Sequence, residues 1–303
     1  MQEIVLRGFP KCKSFVVQGR MNTQGPTTGE LCDTDVVSVV LDLIAQTGLD
    51  IQSFKLELED NGRKDFDRYS RRMIRRPEGV PDPRDKKDLD GQLWQEELFK
   101  RGWTRVEELT FGKIDHDKWP WMKELLLLAP NLRNLSLVFG ERPKSEWLIE
   151  IADTGLQLAS FKLENIGIFL ARTLIGLLKN SKETLKDLSI TNCFGQEAGF
   201  WQDLFRGLAN DFNNLETLSL HLIRGLPPKD HARTTAMGWH HNVPMKMFFN
   251  LTPIVDIFTD ASGKLVGWKI HGDSANAESI QYTGREMATV LNVLDDLVQY
   301  TVR

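Results

Sequence analysis

The residue types best suited to chemistry fall in a few short stretches. The run Ile114-Asp115-His116-Asp117-Lys118-Trp119-Pro120-Trp121 sets two carboxylates beside an imidazole. Those are the groups that general acid–base catalysis uses. The trio is contiguous, however, and contiguous side chains do not converge on one point in a helix or a strand. Trp119 and Trp121 suit the packing of a following helix. His240 and His241, downstream of His231, suggest a metal pair. Neighbours in an extended segment point apart, and no carboxylate or cysteine stands at ligand spacing from them. Cys12, Cys32 and Cys193 are far apart and odd in number. That argues against a disulfide framework and a four-thiolate zinc site, and it fits a reducing compartment. Arg71, Arg72, Arg75 and Arg76 form a local basic patch. It would suit a phosphate, an acidic partner or a localisation signal, but nearby acids favour a solvated insert. No G-x-S-x-G, Walker loop, dinucleotide glycine motif or H-E-x-x-H occurs. The sequence thus offers no catalytic residue, no metal site and no cofactor site.

Bulk properties narrow the classes further. The formal net charge is −4 and the sequence pI about 5.9, so a whole-protein basic field for nucleic acid is absent. The N-terminal residues show no signal-peptide pattern. The longest apolar stretch, Leu125 to Ala129, is far too short for a bilayer. The expectation is a cytoplasmic or nuclear monomer that binds neither membrane nor nucleic acid.

The elements that would position any site follow from a repeat. The template L-x-x-L-x-L is filled by Val106/Leu109/Phe111, Leu132/Leu135/Leu137, Leu158/Phe161/Leu163, Leu185/Leu188/Ile190 and Leu215/Leu218/Leu220. Its first positions are spaced by 26, 26, 27 and 30 residues. A leucine-rich repeat is about 20–29 residues long. Upstream copies are Ile51/Phe54/Leu56 and, more weakly, Cys12/Phe15/Val17; Leu265/Trp268/Ile270 is a late candidate. Between strands the apolar spacing becomes helical, as from Trp147 to Ala152 and from Phe169 to Leu178. The predicted fold is α/β: a leucine-rich-repeat solenoid, or horseshoe, in one domain over 1–303, with a parallel concave sheet and convex helices. Cys193, at the end of L-x-x-L-x-L-x-x-C, is expected to be a buried, inert turn residue.

Two inserts interrupt the pattern, 61–90 and 223–245. The first is polar, with three prolines and many charges. Then 253–259 and 264–271 read as a hairpin around Asp260-Ala261-Ser262-Gly263, which makes the Leu265 copy one arm of that hairpin. Residues 284–300 carry Met287, Val290, Leu291, Leu294, Leu297 and Val298 on a helical face, a candidate capping helix.

Side chains between the template apolars face away from the core. They form three columns. The first is Ser53, Glu108, Asn134, Ser160, Asp187 and Thr217; the second is Lys55, Thr110, Ser136, Lys162, Ser189 and Ser219. The third is Glu57, Gly112, Val138, Glu164, Thr191 and His221. These ladders are small and polar and offer almost no aromatic platform for bases. They suit a protein or peptide partner, or a polar loop folding back over them. The partner-binding residues expected are Lys55, Glu57, Asn134, Ser136, Ser160, Lys162, Glu164, Asp187, Ser189, Thr217, Ser219 and His221.

The string RGWTRVEELTFGKIDHDKWPWMKELLLLAPNLRNLSL, with the later KNSKETLKDLSITNC and NNLETLSLHLI, resembles the repeat region of fungal F-box/leucine-rich-repeat proteins. The resemblance runs from about Pro10 to Val298. It implies the substrate-receptor part of a cullin–RING ubiquitin ligase, in which the F-box holds the adaptor and the repeats hold the target. Only about ten residues precede the first copy, so the repeat region is expected without an F-box. The primary expectation is a non-enzymatic recognition module. The rivals are an enzyme with a small-molecule pocket between sheet and inserts, and an effector that blocks a partner.

Overall fold

A computed structural model of the protein describes residues 12–19, 40–58 apart from 42, 97–114, 119–140, 146–226 apart from 169, 245–250, 268–273 and 276–301. The fold is α/β with mostly parallel strands. It divides into two compact units, Met1–Glu141 and Arg142–Arg303.

The first unit holds β1 (Ser14–Gly19), β2 (Ser53–Leu58), α1 (Glu97–Trp103), β3 (Glu108–Ile114), α2 (Trp119–Leu127) and β4 (Asn134–Phe139). Its four strands are parallel neighbours in sequence order. The register sets template position on template position: Phe15, Phe54, Leu109 and Leu135 align, and so do Val17, Leu56, Phe111 and Leu137. The weak Cys12 copy is therefore a paired strand. All these residues from β2 to β4 are buried, as are the first-position anchors Ile51, Val106 and Leu132.

The Gly102-Trp103 dipeptide locks α1 in place. Trp103 is fully buried, stacks on Phe99 at 5.3 Å between ring centroids and meets the edge of Phe54. Its indole Nε1 donates to the Leu125 carbonyl of α2 at 2.9 Å, which satisfies the polar end of a buried ring. A Cβ on Gly102 would lie 2.3 Å from the Leu49 carbonyl oxygen, so only glycine allows this approach.

The second unit begins with α3 (Glu146–Ala152), β5 (Ser160–Glu164), β6 (Gly167–Ile168), α4 (Ala171–Leu178) and a 3-10 turn, Lys179–Ser181. It continues with β7 (Asp187–Thr191), β8 (Phe194–Ala198), α5 (Phe200–Asp211), β9 (Thr217–His221) and β10 (Arg224–Leu226). The helices at 146–152 and 171–178 fall where helical spacing predicts them. Two parallel ladders result. One is β5–β7–β9, in template register. The other, of short strands, is β6–β8–β10.

Both ladders are closed by antiparallel strands. These are β11 (Met245–Asn250), β12 (Trp268–Asp273), β13 (Asn276–Thr283) and β14 (Val298–Thr301), with α6 (Met287–Leu297) before the last. β13 runs along β9, β11 runs along β10, and β11 pairs with β13 and β14. The hairpin predicted over 253–271 is described only in 268–271, which belong to β12 and pair antiparallel with the downstream β13; the first arm, 253–259, and the turn lie outside the described residues. The Trp268 copy is thus not a stacked repeat strand. The capping helix is shorter than 284–300, because Val298 has left it to pair with Phe249. Of the two inserts, 61–90 and most of 223–245 also lie outside the described residues.

Short polar bonds tie successive repeats. Asn131 Nδ2 donates to the Thr104 carbonyl at 2.7 Å, and Asn214 Nδ2 to the Glu183 carbonyl at 2.8 Å. Each asparagine precedes a template anchor and bonds a carbonyl two residues before the preceding anchor. Ser181 is fully buried; its hydroxyl accepts from the Leu158 N–H at 2.8 Å and donates to the Leu156 carbonyl.

Seven residues after the anchor the chain turns left-handed. Lys113, Asn165, Asn192 and Leu222 all have positive φ, between 48 and 62°. Asparagine tolerates that conformation; a leucine pays a steric penalty of about 1–2 kcal/mol. We therefore expect Leu222→Asn to raise stability by about 1 kcal/mol in denaturant titration, and a fall would remove this reading of the turn. Gly102→Ala should lower it by about 2 kcal/mol or more through overpacking.

Candidate functional site

The exposed face of each strand ladder carries the predicted columns. In the first unit Ser14, Ser53, Glu108 and Asn134 are aligned neighbours, then Val16, Lys55, Thr110 and Ser136. In the second, Ser160, Asp187 and Thr217 align, then Lys162, Ser189 and Ser219, then Glu164, Thr191 and His221. Apart from Gly112 and Val138, each predicted face residue is thus where the alternation of the strand puts it. The structure brings them together within their own unit.

One column departs from expectation. Gly112 and Val138 do not align, because β3 carries a bulge: Phe111 pairs with Leu137, but Ile114 pairs with Phe139. The extra residue is the left-handed turn at Lys113. In the 132–139 copy the same offset is occupied by Phe139, buried in the strand. The two copies therefore fall out of step at that point.

Electrostatics on the face are local. Lys55 Nζ lies 2.8 Å from Glu57 Oε1, two residues on along the same strand. Gln18 Nε2 of β1 donates to the other Glu57 oxygen at 2.8 Å. Lys162 Nζ lies 3.3 Å from Glu164 Oε2 in the same arrangement. Exposed pairs of this kind contribute about 0–1 kcal/mol, so they shape the charge pattern more than the stability. Among the described residues no side chain pairs with Glu108 or Asp187, and both are exposed. At the strand entry Lys186 pairs with Glu216 across two repeats at 3.2 Å.

β13 extends the face by one strand. Gln281 stands beside Ser219 and Thr283 beside Thr217. Ser279, buried, has its hydroxyl hydrogen-bonded to His221 Nδ1. Sequence reasoning missed these three residues because nothing in the template announces an antiparallel neighbour. It also missed a direct signal: the pentapeptide Ser-Phe-Lys-Leu-Glu occurs twice, as 53–57 and as 160–164.

Cys193 is where the repeat puts it. It is fully buried, with Sγ 3.2 Å from the Thr191 carbonyl and 3.8 Å from that of Leu163. Burial pushes its thiol up from 9.0 to about 12, and backbone donors offset only part of this. The group is neutral and held, which suits structure and not nucleophilic chemistry. Asp115, His116, Asp117, Arg71, Arg72, Arg75, Arg76, His231, His240 and His241 lie outside the described residues, while Trp119 is buried at the start of α2. Among the described residues no group of three or more histidine, cysteine or acidic side chains is placed to hold a metal, and no helix is long and apolar enough to cross a membrane.

The raised thiol fixes a sign. An unfolded Cys193 loses its proton near pH 9.0 while the folded one keeps it to about 12. Stability from this source is full below pH 9 and is lost as pH rises toward 12. Cys193→Val should therefore lose less stability than wild type between pH 8.5 and 11 in chemical denaturation, and parallel pH profiles would contradict the assignment. No protein-family model matches the chain, and no curated protein matches it by sequence.

Proposed function

We propose that the chain is a leucine-rich-repeat solenoid that recognises a protein partner through its exposed strand face, without catalysing a reaction. On this reading it corresponds to the target-holding part of an F-box/leucine-rich-repeat ubiquitin-ligase subunit. The observation that carries the proposal is the in-register polar face. Ser53, Glu108 and Asn134 in one unit, and Ser160, Asp187 and Thr217 in the other, form rows at strand spacing. Such a face presents many short donors and acceptors at fixed intervals of about 4.8 Å. It is polar and mixed in charge, as the accessible parts of a transient protein interface are. The buried side of the same strands is fully apolar, and its one thiol is neutral and inaccessible.

The test compares captured partners. Wild type, Asp187→Lys, and Lys182→Glu are each immobilised and exposed to the same lysate. Asp187 lies on the strand face, whereas Lys182 pairs with Asp211 of the helix at 200–211. Asp187→Lys should reduce a specific partner at least tenfold, and Lys182→Glu should leave it within twofold. Identical partner lists for all three proteins would overturn the proposal.

A further inference from the structure

We propose that the protein carries two equivalent binding patches, one in each unit, and that each takes a polypeptide segment offering a lysine or arginine side chain. The inference rests on the protein-recognition reading and specifies its ligand.

The first observation is the exact repetition of Ser-Phe-Lys-Leu-Glu, at 53–57 in β2 and 160–164 in β5. Packing accounts for the phenylalanine and the leucine, since Phe54, Leu56, Phe161 and Leu163 are all fully buried. Packing does not account for the other three. The same outward positions hold Glu108, Thr110 and Gly112 in β3, and Thr217, Ser219 and His221 in β9. The repeat itself therefore tolerates other residues there.

The second observation is that the geometry is repeated with the sequence. Lys55 bonds Glu57 in one patch and Lys162 bonds Glu164 in the other. The third is the next strand. The serine aligns with a carboxylate each time, Ser53 with Glu108 and Ser160 with Asp187. The lysine aligns with a hydroxyl each time, Lys55 with Thr110 and Lys162 with Ser189.

The chemistry follows from the charge count. In each patch the lysine is neutralised by the glutamate of its own strand. One carboxylate remains, on the neighbouring strand, flanked by a serine and by a lysine–hydroxyl row. Among the described residues neither Glu108 nor Asp187 has a side-chain partner. An incoming cation completes that set, and its backbone can meet the serine and threonine hydroxyls beside it. An acidic segment would instead have to displace an existing ion pair.

The probe is acetyl-Gly-Arg-Gly-amide titrated into the full chain, with acetyl-Gly-Glu-Gly-amide as control, read by backbone amide chemical shifts. Amides around Glu108 and around Asp187 should move together, with half-points within about threefold of each other. Glu108→Gln should abolish the first set alone, and Asp187→Asn the second alone. Movement at one patch only, movement matched by the glutamate peptide, or movement equally large beside the exposed Glu183 would overturn the proposal. So would no movement at either patch. Face-dependent capture that persists in such a case leaves the recognition reading standing and removes only the two-patch claim.

Discussion

A strand of five or six residues has one apolar side, and it cannot bury that side by itself. In each unit the solution is parallel pairing that aligns the buried template positions, so that Phe54 meets Leu109 and Phe161 meets Leu188 at the same height in the ladder. A slip of one residue would turn every one of these side chains outward and bring Lys55 or Lys162 in. The penalty for that exchange is far larger than any contribution from the exposed positions. Register is therefore set from the buried side, and the exposed side inherits it. The polar columns are regular because the hydrophobic columns have to be.

How much of this was legible depended on which forces leave a mark in the sequence. Burial does: each template anchor from Ile51 to Leu220 is inside. The alternation that buries them also placed the outward residues, and Cys193 followed from its offset in the repeat. Backbone conformation leaves a fainter mark. The left-handed turn falls on Asn165 and Asn192, which advertise it, but also on Lys113 and Leu222, which do not. The Phe139 copy omits it, and the bulge in β3 follows from that mismatch. Strands of two or three residues, such as β6 and β10, carry no periodicity at all.

The C-terminal elements show the complementary failure. Residues 284–300 have a helical apolar pattern, and Met287, Val290, Leu291 and Leu294 are buried as it predicts. The helix still stops at Leu297, because the following backbone gains sheet partners in β11. Pattern reads side-chain demand. It does not see which edge stands open nearby, and an open edge decides where a helix gives way to a strand. The repeated Ser-Phe-Lys-Leu-Glu is the opposite case. It was fully visible as letters, and only the register reveals that its neighbours are repeated too.

The antiparallel closure of the second unit also bears on the order of assembly. Strands β5, β7 and β9 join partners about 27–30 residues away, a separation that a growing chain can close early. β10 and β9 receive their outer neighbours only from residues 245–250 and 276–283, and β11 in turn waits for residues 298–301. During synthesis the edge of β9 therefore stays bare while about sixty further residues are added, and that of β10 while about twenty are. Bare edges on a nascent chain are the surfaces that chaperones bind and that neighbouring chains misjoin.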